Sequence, residues 1–490
     1  MGVLELLESM IVTANGILWG APLFIMILGV GLLLTIRLGG IQVRLFPMAI
    51  LRLTRSIHEK NDGREGDISP FQALSTALSG TMGIGNIAGV STAIVLGGPG
   101  AVFWMWMTAV IGMATKYAEA VLALKYRVRN ADGTMAGGPM YYIEKGLKNR
   151  WLALAFAGCA AVATVGGGGM AQANSIANGI SYQLGVDWAM PLPIIGPVSA
   201  IGILVGLTLT LFTGLVIIGG IKRIGRVASW LIPFLSIFYV GGGMLVMLAS
   251  YDRVPGAIGL IFQYAFSPYA VAGGALGYSV VEAIRYGVAR GVFTNEAGLG
   301  SAPVAYAASK TRSPVDQGLL AMLEVFIDTL VTCSITAFVV LSSDVWDGGL
   351  TGTALTTEAF SRTLGPAGAF IVLISTILFG FSTIIGWSYY GEQYSAYIFG
   401  HRHKNGFKAL YLISVFAGSV LGVRLVWEIA DLFNGLMAIP NLVALAALSG
   451  VVSLESDLLS RLKSGASTLC ALSLLRGFHP YFQLVISASG

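Results

Sequence analysis

Long apolar runs separated by short polar stretches dominate the chain. Runs near the roughly 20 residues that cross a bilayer recur at about 16–36, 70–97, 99–124, 151–184, 198–220, 227–250, 268–291, 317–341, 367–398, 408–423 and 425–452. The pattern predicts eleven transmembrane helices, hence an all-α polytopic membrane protein. The polar stretch after the first run contains LFPMAILRLTRSI (Leu45 to Ile57). It reads either as an amphipathic helix on the inner membrane face or as a solvated connector. The segment from Met1 to Met10 carries Glu5 and Glu8 and no Lys or Arg, the wrong charge for the start of a secretory signal.

Composition narrows the class. Of 490 residues, 55% are hydrophobic and 11% charged. A soluble domain carries about 25% charged residues, so this chain has too few to coat a soluble surface. The 65 glycines follow no collagen period, and the three cysteines (Cys159, Cys333, Cys470) form no C-x-x-C pair. The four histidines lie outside the apolar runs, and no H-E-x-x-H, G-x-S-x-G or P-loop occurs. These observations argue against a membrane enzyme and give no sign of a cofactor. The net charge of +5 forms no nucleic-acid patch. With the amino terminus outside, 25 of the 29 Lys and Arg fall on inner segments and three on outer ones. That asymmetry predicts an outer amino terminus and a cytoplasmic carboxyl terminus.

Setting aside residues 1–69 leaves ten spans, five in 70–250 and five in 262–452, with residues 453–490 as a tail. Two halves of opposite topology suit an inverted-repeat transporter. The leading span of the first half holds Ser79-Gly80-Thr81-Met82-Gly83-Ile84-Gly85-Asn86, and that of the second holds Ala272-Gly273-Gly274-Ala275-Leu276-Gly277-Tyr278. Glycine costs about 1 kcal/mol in a helix interior. Such runs therefore predict unwound backbone lining a cavity, or else close helix packing through small residues. Broken helices in inverted halves favour alternating access over a channel.

Five segments resemble the alanine or glycine:cation symporter family: SGTMGIGNIAGVSTAI (79–94), GGPGAVFWMWMTAVIGMATKYAE (97–119), GGPMYYIEKGL (137–147), RGVFTNEAGLGSAPVAYAASKT (290–311) and QGLLAMLEVFIDTLVTCSITAF (317–338). The resemblance implies a leucine-transporter-like five-plus-five inverted repeat with one extra N-terminal transmembrane helix. It implies symport of a small neutral amino acid, alanine or glycine, with sodium (or a proton in its place) across the cell membrane. A relative of the same fold that carries a nucleobase or a larger amino acid is the alternative. Nothing in the sequence sets an oligomeric state, and the residues after Val452 depart from the family's short charged tail.

A zwitterion's carboxylate suits backbone N–H groups at a helix break. The resemblance places Gly83, Ile84 and Gly85 there, beside Thr81. It places sodium against the carbonyls of Ser79 and Met82, with hydroxyls from Ser382 and Thr383; those hydroxyls otherwise bond back one turn. Asn86 either helps hold a cation or caps the following half-helix. Trp387 shares a helix face with Thr383 and would wall the pocket, if it is not plain packing. Gln172 and Asn174 do not share a face; Asn174 is the expected substrate partner. Gly273, Gly274 and Gly277 would offer carbonyls to the ammonium group. Among intramembrane charges, Glu324 and Asp328 share a face, while Lys116 with Glu119 and Glu282 with Arg285 are spaced to pair. The turn from Asn295 to Gly298 reads as an inner-gate or capping element, not a catalytic motif, which leaves the expected pocket free of charge.

Overall fold

The computed structural model describes residues 3–59, 63–185, 189–192, 196–270, 277–311, 313–421 and 423–463. The first passage is α1 (Val3–Leu18) and α2 (Ala21–Arg37), followed by α3 (Ile41–Arg44) and α4 (Phe46–His58). The second is α5 (Pro70–Thr81) and α6 (Ala88–Gly97), separated by a 3₁₀ turn at Ile84–Asn86. Next come α7 (Ala101–Lys125), α8 (Pro139–Gly146), α9 (Arg150–Ala163) and α10 (Ala171–Leu184), then α11 (Ala200–Ile217), α12 (Gly220–Ala249) and α13 (Val254–Tyr264). The second half contains α14 (Val280–Asn295), α15 (Pro303–Ala307), α16 (Pro314–Val325), α17 (Ser334–Ser342), α18 (Gly352–Leu364) and α19 (Pro366–Phe399). It ends with α20 (Lys404–Val420), α21 (Val423–Ala447) and α22 (Ser449–Lys463). The described residues also form three short antiparallel hairpins: β1 (Val128–Arg129) with β2 (Met135–Ala136), β3 (Ala189–Leu192) with β4 (Gly196–Ser199), and β5 (Tyr269–Ala270) with β6 (Gly277–Tyr278).

Among the described residues, eight helices are long and apolar enough to cross a membrane. The three remaining expected passages are α5–α6 and α14–α15, both interrupted, and α20, which has 17 residues. Residues facing outward are apolar: Leu204, Leu207 and Leu211 of α11, and Trp230, Phe234 and Ile237 of α12, are all more than half exposed. Such a surface suits the lipid of a bilayer. The stretch Leu45 to Ile57 is helical as α4, with Ala49 and Ser56 buried and Ile50, Leu51 and Ile57 outward.

The two interrupted passages begin alike. Pro70 opens α5 behind a capping box in which Ser69 and Gln72 satisfy each other's backbone N–H groups. Ser279 and Glu282 form the same box at the start of α14. Glu282 is therefore spent on its own helix terminus and not on Arg285, whose guanidinium lies 5.6 Å from the ring centre of Tyr286.

The expected second interruption at Ala272–Tyr278 is displaced. Gly273 and Gly274 lie outside the described residues, and Gly277 pairs with Ala270 in the hairpin before α14. At about 1.5 Å per residue, α14 holds Gly277 roughly 24 Å from its far end. The helix stops instead at Glu296, which is left-handed with φ 55°, and resumes at Pro303. The turn Asn295 to Gly298 is thus the break itself. The left-handed residue is a glutamate where glycine is usual, and Gly298 and Gly300 (φ 94° and 83°) come only after it.

Two further irregularities are π-helical, Thr164–Met170 and Phe326–Cys333. Such wide turns free carbonyls and concentrate at functional sites. In the first, the four glycines admit different neighbours. A Cβ on Gly168 would lie 2.4 Å from Cβ of Trp387, and one on Gly166 would lie 3.4 Å from Cα of Ala430.

Candidate functional site

Both interruptions and the two π segments meet in the middle of the bundle. There the chain encloses a cavity of about 20 Å³, lined by Thr81, Gly83, Gly85, Gln172, Phe293, Glu296, Thr383 and Trp387 among others. About 10–15 Å³ admits one water, so the cavity is closed down in this conformation. Beyond Gly85 and Phe293 an open vestibule of about 530 Å³ leads outward past Arg290, Trp427, Glu428 and Asp431. Phe293 borders both spaces and rests near Trp427, with ring centres 5.7 Å apart. Arg290 lies over the Phe293 ring and 3.9 Å from Asp431.

Arg285 and Arg290 therefore stand on the vestibule side of the second break. Loop counting assigns both to inner segments.

The opposite end is latched. Lys310 N–H donates to Ile68 O at 2.8 Å, and Asp67 N–H donates to Ala308 O at 2.8 Å, tying the entry to α5 to the exit from α15. Arg127 donates to the carbonyls of Ala307 and Ser309. The Asp67 carboxylate accepts the Met135 N–H at 2.9 Å. Burial raises the Asp67 pKa above the ordinary aspartate value, with that hydrogen bond opposing it.

The amides of the first break are engaged. Gly83 N–H donates to Asn86 Oδ1 at 2.9 Å, and Ile84 N–H to Gln172 Oε1 at 3.3 Å. The Ile84 side chain is fully buried. Of the pair on α10, Gln172 faces the break. Asn174 instead donates to the carbonyls of Gly418 and Leu421 at 3.0 Å each and lines the vestibule wall.

Met82 O faces α19. It accepts from Ser382 Oγ and Thr383 Oγ1, each at 3.4 Å. Ser382 also bonds back to Phe379 O at 2.8 Å, one turn earlier. Ser79 hydroxyl bonds back to Thr76 O. Gly386 allows this approach, since a Cβ there would fall 2.6 Å from Ser79 Oγ and 3.0 Å from Gly80 N. Asn86 reaches the second π segment, donating to Asp328 Oδ1 at 2.7 Å; Thr329 hydroxyl donates to Asp328 Oδ2 at 2.7 Å. Thr294 lies 3.4 Å from Thr329.

Charge does enter the pocket. Glu296 lines it and accepts Trp387 Nε1–H at 2.9 Å, with the Ser301 hydroxyl on its other oxygen. The indole is thus fixed by a hydrogen bond as well as by Gly168. Lys116 pairs with Glu324 at 3.0 Å, both fully buried, and not with Glu119; Tyr306 hydroxyl caps the other Glu324 oxygen. Glu324 and Asp328 are held by different partners. Sequence reasoning missed Gln172, Phe293, Glu296 and Asp328 as site residues; the signal for Glu296 was the helix-stopping NEAGLG motif. Among the described residues no cluster of His, Cys, Asp and Glu has the makings of a transition-metal site.

The sodium:alanine symporter family model matches residues 4–468. The chain belongs to that family. The match runs past Val452, so the family's pattern persists into α22 and the tail departs later than expected. An uncharacterized transporter of Haemophilus influenzae is 46% identical over 93% of this chain and 97% of its own length. The sodium/alanine symporter AgcS of Methanococcus maripaludis is 45% identical over 93% and 98%. A probable sodium/glutamine symporter, GlnT of Bacillus subtilis, is 38% identical over 91% and 90%. The crystal structure of MhsT in complex with L-phenylalanine superposes with a TM-score of 0.54, covering 81% of this chain and 99% of MhsT at 13% identity. The transporter therefore has a leucine-transporter-like fold. It is a multi-pass membrane protein of a sodium-coupled amino-acid symporter family, not an enzyme.

Proposed function

We propose that the protein carries a small neutral amino acid, alanine or glycine, together with sodium across the cell membrane by alternating access. The observation that carries this reading is the enclosed cavity between the first break and Trp387. It is small, it offers backbone N–H groups on one side and a buried carboxylate, Glu296, on another, and an indole closes it. The substrate carboxylate displaces the side-chain oxygens of Asn86 and Gln172 from the Gly83 and Ile84 amides. Sodium takes Met82 O, Ser382 Oγ and Thr383 Oγ1, with the Ser79 carbonyl completing the set. Asn86 and Asp328 form a second oxygen-rich place for a cation.

The open vestibule and the latched opposite end fit one side of an alternating cycle. On this reading the vestibule faces outside, Phe293 and the Arg290–Asp431 contact form the outer gate, and the carboxyl terminus is cytoplasmic. The two capping boxes and two breaks support a division into halves at 70–250 and 262–452, with 1–69 as the extra element.

Isothermal titration of purified protein tests the reading. Alanine binds in sodium and not in potassium, and Trp387→Ala extends binding to leucine, because removing the indole opens space beside the cavity. Equal alanine heats in both salts, or no sodium-dependent heat with any small amino acid, would contradict the assignment. An unchanged size profile in W387A would remove Trp387 from the pocket wall.

A further inference from the structure

Beyond the substrate cavity lies a buried group that the transport reading leaves unused. Glu119 of α7 is fully buried. Its Oε1 accepts the Gly298 N–H at 3.1 Å and an Asn441 Nδ2–H at 2.7 Å, while its Oε2 has no hydrogen-bond partner. Asn441 also donates to Gly298 O at 2.9 Å, and its own oxygen accepts from Tyr142. Glu119 is thereby clamped between the second break and α21.

The charges around it do not balance. Among the described residues, the titratable groups that interact with it include Lys116 on its own helix, Glu324 of α16, Tyr306 of α15, Tyr142 of α8 and Tyr394 of α19, and Glu296 of the break interacts with the same Lys116. Lys116 is the one cation among them, and it is paired to Glu324. Both oxygens of Glu324 and both of Glu296 accept hydrogen bonds, as ionised carboxylates do. Glu119 alone combines a doubly bonded oxygen with a bare one. An ionised carboxylate with a bare oxygen in an apolar interior is very costly. A carboxylic acid, with Oε1 as its carbonyl and the proton on Oε2, is far less so.

We propose that Glu119 is a proton-binding site of this transporter, protonated in the described conformation and able to exchange its proton with water when the second break and α21 move apart. Protonation forms one O–H bond at Oε2 with a proton drawn from the aqueous phase, and no other covalent bond changes. Loss of the proton places an unpaired negative charge against the turn that carries Gly298. The protonation state therefore biases how closely the break sits against α21, the helix that carries Trp427 and Asp431 at the vestibule. The site does not depend on which solute is carried.

Infrared spectroscopy of the full chain in lipid tests the proposal. Wild-type protein at neutral pH shows the C=O stretching band of a protonated carboxyl, and Glu119→Gln abolishes it, whereas E296Q and E324Q keep it. Absence of the band in wild type, or its persistence in E119Q, would overturn the assignment. Where E119Q is not recovered as folded protein, Asn441→Ala serves instead. Loss of one donor to Oε1 shifts the band, and an unshifted band places the proton elsewhere. In proteoliposomes, wild-type uptake falls several-fold from mildly acidic to alkaline medium and E119Q is flat; a parallel fall in both would show that another group sets the profile.

Discussion

Gly83→Ala lowers sodium-dependent alanine affinity by about 10- to 100-fold while the protein still folds. The backbone at Gly83 is extended, with φ −132°, so alanine is not strained there by its own dihedrals. The conflict is with the site. The new Cβ falls 2.5 Å from Thr383 Oγ1 and 3.2 Å from Gln172 Oε1. Overpacking of this kind costs about 1–3 kcal/mol, and about 1.4 kcal/mol is tenfold in affinity. The cost falls on binding because the two groups pushed aside are the proposed sodium hydroxyl and the acceptor on the Ile84 amide. Gly158→Ala, where a Cβ meets nothing within 4 Å, is the control and leaves affinity unchanged. Titration of both variants with alanine in sodium reads the difference.

Lys116→Met has the largest expected effect on stability. Lys116 and Glu324 are fully buried and bonded to one another at 3.0 Å. Removing one partner of a buried pair costs about 3–5 kcal/mol, since the other charge stays buried and uncompensated. Domains are typically stable by about 5–15 kcal/mol, so a large fraction is lost and the melting temperature in detergent falls steeply. Coupling Lys116→Met to Glu324→Gln recovers most of it, because the glutamine amide is neutral and its oxygen still accepts the Tyr306 hydroxyl. Additive losses in the double variant would mean that the pair does not act as a unit.

The legible part of this fold was what periodicity and local chemistry encode. Apolar length marked the spans, and SGTMGIGN marked the first break, where glycines and a terminal asparagine concentrate within one helix turn or two. The convergence of Met82, Ser382 and Thr383 came from the family resemblance. The second break was hidden because Asn295-Glu296-Ala297 is not glycine-rich at its first residues. A denser glycine run, Gly273 to Gly277, drew the assignment to a segment before α14. The partner of the Ile84 amide was hidden for a different reason. Gln172 and Asn174 stand two apart and do not share a face, and spacing alone does not say which of them turns toward the break. Nor does i, i+3 spacing determine pairing among buried charges: Lys116 passes over Glu119 for Glu324, 208 positions away.

Uptake into proteoliposomes tests the central claim most directly. With sodium outside and potassium inside, the purified protein accumulates labelled alanine above its equilibrium level, and collapsing the sodium gradient with an ionophore releases it. Accumulation that is indifferent to the sodium gradient, or no movement of alanine or glycine at all, would contradict sodium-coupled symport by this chain.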